Sequence, residues 1–128
     1  MQNQELDEHF VQKQREKLEA LREDLLRVQR GMEEDEQDRS DEERDSQFDA
    51  GDMSQQMFTR EMDATIGEQA GRRLEYVDRA LQKINEGTYG ICDDTGEPIP
   101  KGRLEAIPEA VRTVEAQERF DRERRPGR

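Results

Sequence analysis

Asp49 and Asp52 are the side chains with the clearest capacity for chemistry, because two carboxylates three residues apart flank Gly51, a residue that suits a tight reversal of the chain. Such a pair can help to hold a metal ion or present negative charge to a partner. Two carboxylates are too few ligands for metal chemistry by the chain alone, so catalysis by the protein itself is the weaker interpretation. A turn of this composition is also compatible with a purely structural role.

Other chemically reactive side chains are scarce. Cys92 is the only cysteine and His9 the only histidine, so the chain cannot form an intrachain disulfide. One thiolate without a nearby histidine cannot make a tetrahedral structural zinc site. Cys92 is expected to be a small buried core residue, with an exposed redox-sensing thiol as the alternative.

Two apolar ladders flank the aspartate pair and predict the helices that position it. Their members recur at intervals of three and four residues, as the seam of a coiled coil requires. When the first member of one ladder is paired with the last member of the other, and so on inward, the two residue numbers of every pair add up to 102. This constant sum predicts an antiparallel hairpin that folds about residue 51. The first ladder comprises Leu18, Leu21, Leu25, Val28 and Met32, and the second comprises Ala70, Leu74, Val77, Leu81 and Ile84.

The part of the hairpin nearest Gly51 is specified less well. Nine of the thirteen residues in 33–45 are acidic and none is apolar, so this stretch is expected to be helical, with a solvated or disordered segment as the alternative. The second helix is expected from about Ser54 to Glu86, with Gly87 just past its end. A second register remains open, because an alternative ladder continues at intervals of four, namely Phe58, Met62 and Ile66.

Three glycines, Gly31, Gly67 and Gly71, fall close to one level of the predicted hairpin. A glycine inside a helix costs roughly 0.5 to 1 kcal/mol relative to alanine. They indicate either a close approach or bend of the two helices, or glycine substitutions that are tolerated because this part of the hairpin needs little stability. The sequence leaves both interpretations open.

Composition and charge narrow the class of protein. The 128 residues include 33 acidic and 21 basic side chains, for a net charge of −12, and only 30% of the chain is hydrophobic. A large core is therefore excluded, and a solvated helical rod with a small globular part fits best. Unassisted binding to nucleic acid is disfavoured, because phosphate contacts require clustered Lys and Arg. The chain nowhere has three consecutive hydrophobic residues, so neither a membrane span nor a typical secretory signal is expected.

After Gly87 the character of the sequence changes. Residues 87–103 contain four of the nine glycines and two of the four prolines, which predicts a small knuckle rich in turns with short extended pieces. Pro108 is well placed to start a final helix over 109–124. The knuckle is expected to have a small apolar core made of Ile91, Ile99, Leu104, Ile107, Val111 and Val114.

The run ALQKINEGTYGICDDTGEPIPKGRLEAIP, residues 80–108, resembles the signature of the DksA/TraR family of bacterial transcription factors. The resemblance extends from Phe10 to about Arg119 and includes residues 17–27 of the first predicted helix. It implies a factor that binds RNA polymerase, inserts a coiled-coil tip into the secondary channel and modulates initiation in the stringent response. It implies no direct sequence-specific binding to DNA and no catalytic activity of its own.

The family has an Asp-x-x-Asp-x-Ala pattern at the tip of its coiled coil. Here the corresponding residues are Asp49, Asp52 and Ser54, with serine in place of alanine. The resemblance implies that these three residues form the tip that approaches the active centre of the polymerase. A helix from Leu18 to Asp49 would be about 48 Å long, which is enough to reach through a channel.

Two further properties of the family are not expected to carry over. The positions that match its zinc cysteines hold Cys92, Thr95, Thr113 and Ala116, so no metal is predicted. The positions that match basic contacts to guanosine tetraphosphate hold Tyr76, Ile107 and Gln117, none of which offers a cation to phosphate, so a response to this nucleotide is doubtful. The alternative is that Arg72, Arg73 and Arg103, which are near enough to substitute, supply the cations. No cofactor is predicted.

The fold is therefore predicted to be mainly α. Residues 1–86 form an N-terminal segment and a long antiparallel coiled-coil hairpin with its tip near 49–54, and residues 87–128 form a degenerate, metal-free, zinc-finger-like knuckle and a C-terminal helix. The protein is expected to be a cytoplasmic, monomeric partner of RNA polymerase and not an enzyme. The alternative is a coiled-coil interaction adaptor, or a family member that has lost its activity on polymerase.

Overall fold

The fold is mainly helical, as predicted. The computed structural model describes the backbone of residues 2–45 and 50–124 and the side chains of residues 2–31 and 65–124. Within this part of the chain there is no strand, and a single isolated antiparallel bridge joins Ile91 and Pro98. The helices are α1 (Glu8–Asp45), α2 (Ala50–Glu86), α3 (Lys101–Ala106) and α4 (Val114–Glu123).

Helix α1 begins at Glu8 because Asp7 caps it. The Asp7 carboxylate accepts a hydrogen bond of 2.7 Å from the backbone N–H of Phe10, which satisfies one donor of the first turn. Glu8 adds a negative charge where the helix dipole favours one. The helix continues to Asp45, so the acidic stretch 33–45 is helical, as expected.

Helix α2 begins earlier than predicted, at Ala50 instead of Ser54. Gly51 therefore lies inside the first turn of α2 and not in a reversal between helices. Helix α2 ends at Glu86, and Gly87 follows with a φ of 80°, which confirms the predicted C-terminal glycine.

The described chain divides into two compact units. One contains Met1–Arg22 and Glu75–Arg128, and the other contains Glu23–Leu74. The division that the change in sequence character suggests, at residue 86, remains a proposal about the organisation of the sequence.

In the first unit, the lower parts of α1 and α2 run antiparallel. Arg15 forms a hydrogen bond of 3.0 Å with Asn85, and Arg22 forms one of 2.8 Å with Asp78. Seven residues further along α1, the partner therefore lies seven residues earlier in α2, as in an antiparallel pair. The numbers in both pairs add up to 100, close to the predicted 102. The apolar residues along this part of the two helices are buried and comprise Leu18, Val77, Ala80 and Ile84.

In the second unit, Leu25, Ala70 and Leu74 are buried and continue the predicted ladders. Ile66 is 42% exposed, so this member of the alternative ladder is not part of a buried seam. The side chains of Met32, Phe58 and Met62 lie outside the described part of the chain.

Gly67 lies inside α2, where no described residue imposes a steric need for glycine. Among the residues whose side chains the structure describes, none has an atom within 4 Å of a Cβ built on Gly67 or on Gly31, so contact with these residues does not explain the two glycines. At Gly71 the nearest atom to such a Cβ is Gln29 Nε2, at 3.1 Å, on a flexible side chain.

We expect Gly67→Ala to raise the free energy of unfolding by about 0.5 to 1 kcal/mol, because alanine loses less backbone entropy in a helix. Urea denaturation followed by circular dichroism measures it. Gly90→Ala is the matched contrast and should destabilise the protein, since Gly90 has a φ of 86° and its Cβ would lie 2.6 Å from Leu6 Cδ1. Equal effects of the two substitutions would contradict this account.

The last helix is shorter than predicted, and a short helix precedes it. The predicted helix over 109–124 is in fact α4, Val114–Glu123, because Thr113 accepts a hydrogen bond from the backbone N–H of Ala116 and caps the helix there. Pro108 does not start a helix. Pro100 occupies the N-cap position of α3, a helix that sequence reasoning missed.

The predicted core of the knuckle is correct for four of its six members. Ile91, Ile99, Leu104 and Val111 are each at most 8% exposed. Ile107 and Val114 were wrongly assigned, since they are 38% and 46% exposed. Both stand at helix ends, after α3 and at the start of α4, while other side chains complete the core, namely Tyr89, Cys92, Ala110 and Ala116.

No helix among the described residues is both long enough and apolar enough to cross a lipid bilayer.

Candidate functional site

The predicted tip, Asp49, Asp52 and Ser54, lies outside the residues whose side chains the structure describes. Asp49 falls in 46–49, outside the described residues. Asp52 and Ser54 belong to the backbone of α2, and their side chains lie outside the described part. The role of these three residues therefore remains a prediction.

The four positions aligned with zinc cysteines lie in one hydrogen-bonded cluster. The Cys92 thiol accepts hydrogen bonds from the Thr95 hydroxyl and from backbone N–H groups of Asp94, Thr95 and Thr113. The Thr113 hydroxyl in turn accepts from the Ala116 N–H at 3.3 Å. The segments 92–95 and 113–116 are thus joined through the single thiol.

Cys92 is buried, with 2% of its surface exposed, as expected for a core residue. Burial disfavours the thiolate, but the hydrogen bonds from Thr95, Thr113 and Asp94 together outweigh it and hold the pKa of Cys92 below its ordinary value. A thiol with so little exposure has no route to a bulky substrate or oxidant. The cluster is arranged for structure and not for nucleophilic chemistry.

Lys83 of α2 holds the segment that carries Cys92. Its ammonium group donates to the carbonyl oxygen of Ile91 at 2.6 Å and to the Asp93 carboxylate at 2.5 Å, and its side chain is buried. Arg79 binds the same carboxylate through two hydrogen bonds of 3.0 Å. The residues on both sides of Cys92 are therefore fixed to α2.

The charge of Asp93 depends on these two cations. Burial raises its pKa, but the hydrogen bonds from Arg79 and Lys83 lower it further than burial raises it, so the pKa of Asp93 lies below its ordinary value. The same contact raises the pKa of the Arg79 guanidinium. Sequence reasoning missed Lys83, although it directly precedes Ile84, the last member of the second ladder.

This depressed pKa predicts a stability that falls in acid. A carboxylate whose pKa is lower in the folded than in the unfolded chain stabilises the fold above its unfolded value of about 3.9, and the contribution is lost as the pH falls through the folded pKa. We expect the free energy of unfolding to fall steeply below about pH 4, and Asp93→Asn to make the fall shallower. Chemical denaturation at a series of pH values measures both. Asp78→Asn removes an equal charge from an exposed ion pair, and a similar flattening in this control would contradict the assignment.

Two of the three positions aligned with nucleotide contacts meet in the structure. Gln117 of α4 donates a hydrogen bond of 3.2 Å to the hydroxyl of Tyr76 in α2. Ile107, the third, is an exposed apolar side chain at the end of α3. None of the three offers a positive charge to a phosphate group.

Similar proteins identify the family. The chain is 34% identical over 118 residues to the RNA polymerase-binding transcription factor DksA of Caulobacter vibrioides, a match that covers 92% of this chain and 78% of that protein. The chain belongs to the DksA/TraR family. The solved structure of transcription factor DksA2 from Pseudomonas aeruginosa is 30% identical, with a TM-score of 0.68, and covers 94% of this chain and 90% of that one. General stress protein 16O of Bacillus subtilis is 56% identical over 55 residues, which is 43% of this chain and 34% of that protein.

The family model described as the prokaryotic dksA/traR C4-type zinc finger matches residues 87–122. A C4 site binds zinc through four thiolates, and this DksA/TraR protein has a single cysteine. Cys92 already accepts hydrogen bonds from three neighbouring residues, and the described part of the chain has no group of three or more His, Cys, Asp or Glu side chains placed to hold a metal. The residues present do not fit a C4 zinc site.

Proposed function

We propose that this DksA/TraR protein is a bacterial transcription regulator that binds RNA polymerase and inserts the tip of its coiled coil into the secondary channel to modulate initiation. The single observation that carries the proposal is the match over 92% of the chain to a protein named as an RNA polymerase-binding transcription factor. The protein acts in the cytoplasm as a monomer, without catalysis and without sequence-specific contacts to DNA.

The distribution of charge supports an acidic arm that meets a basic surface. Residues 23–74 carry sixteen acidic and seven basic side chains, whereas the rest of the chain carries seventeen acidic and fourteen basic. Most of the net negative charge thus belongs to the part of the hairpin that contains the predicted tip. A basic channel would attract this arm and accelerate association, and salt would weaken the attraction.

The two carboxylates at the tip are the proposed effectors. Asp49 and Asp52 would approach the active centre of the polymerase, with Ser54 beside them, and contact basic or mobile elements there. Ionised carboxylates form hydrogen bonds about twice as strong as neutral groups do. Such contacts would change the stability of promoter complexes.

We propose further that the regulator acts without guanosine tetraphosphate. Gln117 and Tyr76 are neutral side chains that hydrogen-bond to each other at two of the positions where a phosphate would need cations, and Ile107 is an exposed apolar side chain at the third. In a transcription assay, the nucleotide should leave the effect of this protein unchanged.

The knuckle should also be independent of zinc. We expect a strong chelator to leave the far-ultraviolet circular dichroism and the midpoint of thermal unfolding unchanged. A chelator destabilises a protein with structural zinc because it removes the folding free energy that metal binding supplies, and this knuckle would have no such contribution to lose. A zinc-containing member of the family, treated in the same way, is the control. One equivalent of metal in the purified protein, or a lower midpoint with chelator, would refute this prediction.

Equilibrium binding to purified bacterial RNA polymerase tests the proposed function. The chain should bind with 1:1 stoichiometry at low salt, and its affinity should fall steeply as salt is raised. If polymerase does not bind even at low salt, the protein is an adaptor or a family member without activity on polymerase.

A further inference from the structure

Three buried polar side chains from outside the knuckle, residues 87–113, direct their donors into it. Among the described residues, Asn3, Gln14 and Lys83 are the buried polar side chains that precede the knuckle, and their exposed fractions are 4%, 1% and 2%. They come from three different elements, namely the segment before α1, α1 itself and α2. Each of them donates two hydrogen bonds to knuckle residues.

Asn3 joins the two extended pieces of the knuckle. Its amide nitrogen donates to the carbonyl oxygens of Gly90 at 3.0 Å and Ile99 at 2.9 Å. The Asn3 side-chain oxygen accepts from the N–H of Glu5 at 3.0 Å, which fixes the orientation of the amide. Leu6 packs closely on Gly90, since a Cβ on Gly90 would lie 2.6 Å from Leu6 Cδ1 and the Leu6 side chain would have to shift. The N-terminal segment therefore closes over the bridge of the knuckle.

Gln14 performs the same task from α1. Its amide nitrogen donates to the carbonyl oxygen of Leu104 at 2.7 Å and to the hydroxyl of Tyr89 at 3.1 Å. The Tyr89 hydroxyl in turn donates a hydrogen bond of 2.9 Å to the carbonyl oxygen of Pro108, so Gln14 is linked through Tyr89 to the segment after α3. Burial raises the pKa of Tyr89 to about 12, so the hydroxyl remains a donor throughout the neutral range.

Lys83 completes the set from α2, through its contacts with Ile91 and Asp93. Asp93 also donates its backbone N–H to the carbonyl oxygen of Val111 at 2.9 Å, so the segment held by Lys83 is tied to the chain that leads into α4. The three donors thus reach both extended pieces of the knuckle, helix α3 and the connection to α4.

A metal finger carries its cross-link within its own sequence and folds when the metal binds. The knuckle of this chain receives six hydrogen bonds from side chains that belong to the segment before α1, to α1 and to α2. We infer that the base of the hairpin is the template on which the knuckle folds, so that the knuckle depends on the base while the base does not depend on the knuckle. This inference does not rest on polymerase binding.

Native-state hydrogen exchange of the full chain tests this dependence. The variants are Asn3→Ala, which removes the donor to the Ile99 carbonyl, and Gln14→Leu, which removes the donor to the Leu104 carbonyl. We expect protection of knuckle amides such as Cys92, Asp93 and Ile99 to fall by about tenfold or more, because each lost donor leaves a buried acceptor unsatisfied. Amides in the middle of α1 and α2 should keep their protection.

Arg15→Ala is the matched control, since Arg15 lies next to Gln14 on α1 and makes an exposed contact with Asn85. This variant should leave knuckle protection unchanged. Unchanged knuckle protection in both test variants would overturn the inference. So would an equal loss across the knuckle and the two helices, because the base would then depend on the knuckle as much as the knuckle depends on it.

Discussion

Replacing Asp49 and Asp52 together by asparagine should abolish regulation while the protein still binds RNA polymerase. Asn has nearly the shape of Asp but no charge, so the double variant removes the proposed effector groups and little else. Hydrogen bonds to charged groups contribute about 1.5 to 3 kcal/mol each, so the effect on promoter complexes should fall by about tenfold or more. Transcription in vitro from a promoter under stringent control measures it, with polymerase binding measured in parallel.

The double variant Asp35→Asn with Asp38→Asn is the matched control for the tip. These two residues have the same spacing of three and lie in the acidic part of α1, so the control removes an equal charge from the same arm. We expect it to weaken association at low salt and to leave the maximal effect on transcription intact. A tip variant that binds polymerase and regulates like the unmodified protein would show that the carboxylates are not the effectors.

Lys83→Met should be the most destabilising single substitution among the polar residues described above. It removes a buried cation and leaves the carbonyl oxygen of Ile91 without its donor, while Asp93 retains only Arg79. Loss of a hydrogen bond to a charged group costs about 1.5 to 3 kcal/mol, and Asp93 adds little because it keeps its contact with Arg79. We therefore expect a loss of about 2 kcal/mol and a fall in Tm of about 8 °C.

Lys101→Met is the matched control for Lys83. Its ammonium group lies 4.9 Å from the centroid of the Phe10 ring, and loss of this interaction should cost only about 0.5 to 1 kcal/mol. A second check is a double-mutant cycle. Asp93→Asn should lower the free energy of unfolding less in the Lys83→Met variant than in the unmodified protein, since the two side chains act as a pair. A loss at Lys83 no larger than at Lys101 would show that the ammonium group does not hold the knuckle.

The hairpin could be predicted because its signals are local and repeated. Apolar residues at intervals of three and four specify a helix face, and the mirror arrangement of the two ladders specifies an antiparallel pair. Gly87 ended α2 as predicted, since glycine adopts a positive φ readily. The start of α2 at Ala50 was missed, because Gly51 predicts a turn and helix formation at this position overrode it.

The knuckle was harder to predict, because its order depends on contacts between residues far apart in sequence. Asn3 and Gln14 are polar types that usually face solvent, so their burial against carbonyl groups 87 to 96 residues away leaves no local signal. Thr113 could have been recognised as the N-cap of α4, but Pro108 was the stronger start signal in the sequence. The four residues of the cluster around Cys92 were identified in the sequence by their match to the zinc cysteines of the family, whereas the hydrogen bonds among them could be seen only in the folded chain.

The most direct test of the central claim is a crosslink from the tip to polymerase. A photoreactive amino acid at Met53, next to Asp52, should crosslink in the bound complex to polymerase residues that line the secondary channel near the active centre. The same probe at Glu97, an exposed position in the knuckle, should reach only residues outside the channel. Crosslinks from position 53 confined to the outer surface of a polymerase that the protein still binds would contradict the account.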